Sequence, residues 1–166
     1  MRKVVLACLV VILSFSLLVS VTVLPSPSDA SIPVFAGPQN SAHDLKSLAD
    51  MGMRLEIPTE NAAVSPSVAL QNANKTFPSS TRNSTDTRFE YHLLTNNSFK
   101  LFSEEALAKN PKLKSENTID KLPVYIISYK VGRVAGLPTG RQDTRKEFNV
   151  VVDATTGVPL YAFSYR

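Results

Sequence analysis

Few residues in this chain could carry covalent chemistry. There are two histidines, His43 and His92, and a single cysteine, Cys8. No Cys/His pair has the spacing of a zinc site, so neither a metal nor a cofactor is expected. His92 sits in R-F-E-Y-H-L-L, opposite Phe89, Tyr91 and Leu93 in a period-two pattern, and is predicted to be an exposed or edge histidine. Serines are numerous, but no G-x-S-x-G elbow presents one as a nucleophile. The sequence nominates no catalytic residue.

Asp153 invites a catalytic or calcium-binding role because it follows an apolar strand, but it lacks the neighbouring oxygen ligands a calcium cage needs. Turn chemistry explains it better. In D-A-T-T-G, Asp153 and Thr156 can bind nearby backbone groups and Gly157 can take positive φ, so Asp153, Thr156 and Gly157 are assigned to a structural turn.

Two groups of residues suggest binding. Tyr125, Tyr129, Tyr161, Phe163 and Tyr165 fall on predicted adjacent strands. They form either one exposed aromatic face suited to a protein partner or a second buried face covered by the N-terminal arm. Arg133, Arg141, Arg145 and Lys146 lie in a long connection, residues 131–147, and suit an anionic cell-envelope surface or an acidic partner, or else simply face water. Elsewhere the basic residues are scattered and the net charge is only +4, which argues against a nucleic-acid partner.

These residues need a scaffold, and the end of the chain supplies the clearest part of it. Residues 148–165 read as two strands joined by the Asp153 turn. Ser65-Pro66 is a helix start: the serine hydroxyl accepts from an orphan amide, and proline at the first position has none to satisfy. The helix closes at Phe77-Pro78 and carries Ala69 and Ala73 on one face, which lets it lie close to a sheet. Residues 78–86 read as a loop and 88–94 as a strand. Ser103 caps a short helix, 104–109, stopped by Asn110-Pro111; residues 112–121 read as a polar mobile link, and 124–131 as another strand. Further upstream, Ser41 is predicted to cap a helix through Asp50 that Gly52 ends, followed by an extended piece at Leu55 and Ile57. The expected fold is α+β: an antiparallel sheet of about four strands with one main helix on a face.

Met1-Arg2-Lys3 followed by an uncharged run to Leu24 is an N-terminal apolar export segment. Pro25 and Pro27, with small residues at Ser28 and Ala30, favour cleavage after Ala30; retention as a membrane anchor is the alternative. Cys8 precedes most of the apolar run, unlike the cysteine of a lipoprotein box. The expected organisation is a signal peptide or retained anchor at 1–30, a leader with a short helix at 31–63, and an α+β domain at 64–166. The protein is expected to be exported, either secreted or held at the outer face of the cytoplasmic membrane. With no thiol beyond Cys8, the mature part must be stabilised by packing.

The Ser65-Pro66 helix to Phe77-Pro78, the strand V-Y-I-I-S-Y and the ending N-V-V-V-D-A-T-T-G-V-P-L together resemble the PepSY-type domain of exported bacterial proteins, over residues 64–165. The segments 96–121 and 131–147 are longer than that pattern has. The resemblance implies a non-catalytic extracytoplasmic module that binds another exported protein or restrains a peptidase. Two other classes stay open: an enzyme with an unrecognised hydrolytic site, and a structural cell-surface protein held by the basic loop.

Overall fold

The structure is a computed structural model and describes residues 32–37, 40–82, 84–98, 101–131 and 147–164. The elements in chain order are β1 (Val34–Ala36), α1 (Leu45–Asp50), β2 (Met53–Glu56), α2 (Pro66–Thr76), α3 (Pro78–Thr81), β3 (Ser84–Asn96), α4 (Glu104–Lys109), α5 (Pro111–Glu116), β4 (Ile119–Val131), β5 (Glu147–Asp153) and β6 (Pro159–Phe163). The strands form one six-stranded mixed sheet in the order β1-β3-β4-β5-β6, with β2 also paired to β3.

The class is α+β as expected, but the sheet is larger than four strands and not wholly antiparallel. Strand β3 is long enough to hold two short partners on one edge: β1 runs parallel to its residues 89–91 and β2 antiparallel to 93–96. The leader at 31–63, expected to hold a short helix and an extended piece at Leu55, therefore supplies β1 and β2 to the sheet and packs α1 on it. The β3–β4–β5–β6 meander is antiparallel throughout and ends in the predicted hairpin at the Asp153 turn.

Each helix start has a local cause. The Ser65 hydroxyl accepts from Val68 N and Pro66 follows it; Ser103 accepts from Ala106 N. The cap of α1 is Asp44, three residues later than expected, and it accepts from Lys46 N. Residues 78–81, expected as loop, make the single turn α3 behind Pro78. Asn110-Pro111 does end α4, but the Asn110 side chain then accepts from Leu113 N and starts α5, so the link expected to be mobile is partly helical.

Both faces of the sheet are covered. On one, Ala69 and Ala73 of α2 are fully buried against Phe89, Tyr125, Ile127, Tyr129, Val150 and Val152, where small side chains permit a close approach. On the other, Leu48 of α1, Ala106 of α4 and Leu113 of α5 pack on Leu94, Val124, Ile126, Val151 and Tyr161. The Asp153 turn is fixed to α2: Asn72 Nδ2 donates to Gly157 O at 2.8 Å, and the amides of Ala63 and Val64 donate to Ala154 O.

Candidate functional site

Alternation along β3 puts Arg88, Glu90 and His92 on one face, and pairing sets Ser128 of β4 and Asn149 of β5 in the row that begins at Arg88. That face is the one covered by α1, α4 and α5. In a sheet covered on one side only, these polar residues would meet water; here Glu90, His92, Ser128 and Asn149 are enclosed and Arg88 is one-third exposed. Glu90 and His92 are both 0 % exposed. The expectation of an exposed or edge His92 is therefore overturned, because residues 41–43 and the α1 side of the molecule lie over the face that period-two patterning assigns to solvent.

Glu90 is the centre of the cluster. Its Oε2 accepts from His92 Nε2 at 2.9 Å, and its Oε1 accepts from the Ala42 amide at 3.0 Å. Arg88 Nε lies 3.2 Å from the same Oε1, and Arg88 Nη2 reaches Glu147 Oε1 of β5 at 3.3 Å. Burial pushes the Glu90 carboxyl up, but the bonds from His92, Ala42 and Ser41 and the nearby His43 outweigh it and hold the pKa at about 2. Glu90 is a fixed anion at neutral pH. His43 is shifted below its ordinary value, mainly by burial; Glu90 pulls it back up, and Arg88 and His92 push it further down.

A serine, a histidine and a carboxylate meet here, but not as a proton relay. His43 Nε2 lies 3.3 Å from Ser128 Oγ and 3.9 Å from Glu90 Oε1, so one ring nitrogen faces both groups. A relay needs opposite nitrogens for the nucleophile and the acid. Ser128 is also only 2 % exposed. A cavity of about 300 Å³ lined by Asp86, Arg88, Ser128, Lys130 and Glu147 opens on the Arg88 end of the cluster. Among the described residues no group of three His, Cys, Asp or Glu side chains is placed to hold a metal ion.

Asp153 is separated from this cluster. It lies two strands from His92, with Val124 between them, which is about 10 Å at ordinary strand spacing. Its Oδ1 accepts from Thr155 N at 2.7 Å and Thr156 N at 3.2 Å, and Gly157 has φ +74°. The Thr156 hydroxyl accepts from Val158 N. All three assigned turn residues thus take part in the reversal.

The aromatic residues do not form one open face. Tyr125, Tyr129, Tyr161 and Phe163 are each 7 % exposed or less and lie on opposite sides of the sheet. Tyr125 OH donates to Val64 O and Tyr129 OH to Asn74 Oδ1 beneath α2, while Tyr161 OH accepts from Asn96 Nδ2 on the other side. Helices cover both pairs. Tyr165, Arg133, Arg141, Arg145 and Lys146 lie outside the described residues, as does the apolar segment 1–30. Among the described residues no helix is long and apolar enough to cross a membrane.

No family model, no curated protein and no solved structure matches this chain.

The sheet's two outer edges differ. At β6, Ser103 N donates to Leu160 O at 2.7 Å and Ser103 Oγ to Pro159 O at 2.6 Å, which covers the start of that edge. At β1 the outer edge has no strand partner among the described residues, and it is apolar: Phe35 is 45 % exposed and Val34 36 %. Ile57, 64 % exposed, lies against Gly37 at the end of this strand. Patterning missed this feature because V-F-A is too short to register as a strand. Its one sequence signal is an apolar pair inside a Pro/Gly-bounded leader.

Proposed function

We propose that this protein is an exported, non-catalytic interaction module that docks an extended segment of a second exported protein along the outer edge of β1. The observation that carries this is the contrast between the edges: Ser103 covers the start of β6, while β1, whose Ala36 O accepts from Asn40 Nδ2, has no strand on its outer side among the described residues and is flanked by exposed Val34, Phe35 and Ile57. Folded proteins usually shield such an edge with charge, proline or a covering loop. Left open, it is the template for a partner's strand, with main-chain bonds giving affinity and the apolar side chains giving selectivity. The resemblance to PepSY-type domains points to a peptidase as the partner, and the apolar segment at 1–30 supports export. The geometry of the Ser128, His43 and Glu90 group favours binding over hydrolysis.

A photoreactive residue placed at position 35 in the full-length exported protein, with a control at exposed Glu104, tests this in cells. The expected product joins position 35 to an extended segment of one exported protein, and Phe35→Asp in a chain labelled at position 57 lowers its yield about tenfold. Equal products from positions 35 and 104, or none from either, would remove the docking role. The same mass spectra report whether the mature chain begins after Ala30.

A further inference from the structure

We propose that residues 41–43 form an acid-released latch that holds β1 on β3 at neutral pH and frees it when His43 takes up a proton. This concerns the regulation of the β1 edge, and its functional meaning rests on the docking role above; the latch itself stands on separate contacts.

Apart from its pairing with β3, strand β1 is held by Ile32, which packs on the core beneath α2, and by Asn40, which donates to Ala36 O and Gly37 O. The strand is three residues long and all three are exposed. The chain that follows is pinned at residues 42 and 43. The Ala42 amide donates to Glu90 Oε1 at 3.0 Å; His43 Nε2 is 3.3 Å from Ser128 Oγ; and the His43 ring stands 6.0 Å from that of Phe163. Just beyond, Asp44 caps α1, whose Leu48 is in the core, so the chain is anchored from α1 onward whether or not the arm stays down. His43 thus sits between a short, exposed strand and a firmly held helix.

The surroundings of His43 leave a second cation poorly accommodated. From β3 it faces Glu90, Arg88 and His92; from β4, the neutral Ser128; from β6, the neutral Phe163. Glu147 of β5 is engaged with the far end of Arg88. Glu90 is the anion facing it, and its Oε1 already receives the Ala42 amide and lies 3.2 Å from Arg88. A charged His43 would have to share that oxygen, without water, beside a permanent guanidinium. A released arm returns the ring to solvent and its ordinary pKa of 6.5. The open state therefore binds the proton more tightly, and falling pH favours opening, by at most about tenfold per pH unit for one proton. Glu90, with a pKa of about 2, stays ionised throughout that range.

Hydrogen exchange of the full chain, corrected for the intrinsic pH dependence of amide exchange, tests this between about pH 7 and pH 5. Opening of residues 34–43 is expected to rise several-fold to tenfold per unit below about pH 6.5, with α2 and β5 unchanged. In His43→Gln the rise should be absent. An arm that stays equally protected, a core that loses protection in step with it, or a His43→Gln profile like the wild type would each overturn the latch. Should that variant fail to fold, the His43 imidazole signals of the wild type decide: a midpoint below 6.5 supports the latch, and one at or above 6.5 refutes it. A latch that opens as expected while position 35 yields no crosslink would leave the latch standing and remove the docking role.

Discussion

The two faces of the sheet bury polar groups in different ways. Beneath α2 they are tyrosine hydroxyls, and each has an acceptor: Tyr91 OH reaches Glu60 O, Tyr125 OH reaches Val64 O and Tyr129 OH reaches Asn74 Oδ1, all within 2.9 Å. On the opposite face, beside the Tyr161 hydroxyl that Asn96 holds and the Ser128 hydroxyl, they are a carboxylate, a guanidinium, two imidazoles and the Asn149 carboxamide. Their bonds converge on Glu90 and leave Arg88 Nε, His92 Nδ1 and both ends of Asn149 without a hydrogen-bond partner among the described residues. Hydroxyl pairs add about 1 kcal/mol each, whereas a buried ionic group risks far more when one member is lost. The tyrosine face serves stability; the Glu90 face concentrates the molecule's sensitivity to charge.

Removing the central charge tests this contrast most severely. Glu90→Ala should lower unfolding stability at neutral pH by about 3 kcal/mol, since it leaves the buried His92 Nε2 and the Ala42 amide without their acceptor and Arg88 with Glu147 alone. Denaturant unfolding measures it directly. A loss below about 1 kcal/mol would mean that the cluster is hydrated and the two faces are energetically alike.

The Glu90 cluster and the tyrosines under α2 should also fail at opposite ends of the pH scale, with Tyr161 of the Glu90 face, pushed up by burial, joining the alkaline limb. His43, shifted below 6.5 chiefly by burial, contributes stability that is present above 6.5 and lost as pH falls through its folded value; Glu90 contributes stability present above about 4.5 and lost toward pH 2. Tyr125 and Tyr129 are shifted above 10 by burial, so their contribution is complete below pH 10 and lost above it. Each proton can steepen its limb by at most about 1.4 kcal/mol per pH unit. His43→Gln should flatten the acid limb alone, and Tyr129→Phe the alkaline limb alone, in thermal unfolding across pH. A variant that changes both limbs would break the assignment of the two limbs to separate groups.

How far the sequence reveals these faces depends on how local the cause is. Helix α2 follows from Ser65-Pro66 and its two alanines, α4 from Ser103, and the β5–β6 turn from Asp153 and Gly157, because in each case the capping or turn group lies within a few residues of what it satisfies. The one-turn-plus helix α5 is hidden because P-K-L-K-S-E offers a single apolar anchor, Leu113, and its Asn-Pro start doubles as the stop of α4. The site is half legible. Period two places Arg88, Glu90 and His92 on one face, but whether that face meets water is decided by α1, α4 and residues 41–43, which only the three-dimensional arrangement brings there. No sequence spacing links His43 to Ser128. Strand β1 is likewise non-local, since its three residues are a strand only because β3 extends past β2.

A second buried carboxylate calibrates the first. Asp153 is 4 % exposed, and its Oδ1 serves two amides of its own turn with no cation involved. Asp153→Ala should therefore cost about 1–2 kcal/mol, short of the Glu90 figure, because it removes amide bonds and breaks no ionic cluster. Equal losses for the two variants would show that burial of a carboxylate matters here more than what it is paired with.

Asn149 provides the finest discrimination. It is fully buried between Ser128 and Phe163 in the strand pairing, and its carboxamide brings two donors and an acceptor into a site where none is matched. An unmatched polar group costs desolvation with nothing returned, so replacing it with an apolar side chain of similar size removes the penalty. Asn149→Leu should unfold within about 1 kcal/mol of the wild type, on the more stable side. The tyrosine face predicts the reverse for its own members: Tyr125→Phe deprives Val64 O of its donor and should cost about 1 kcal/mol. If Asn149→Leu were the more damaging of the two, the carboxamide would be making bonds through water, and the Glu90 face would be as fully satisfied as the one under α2.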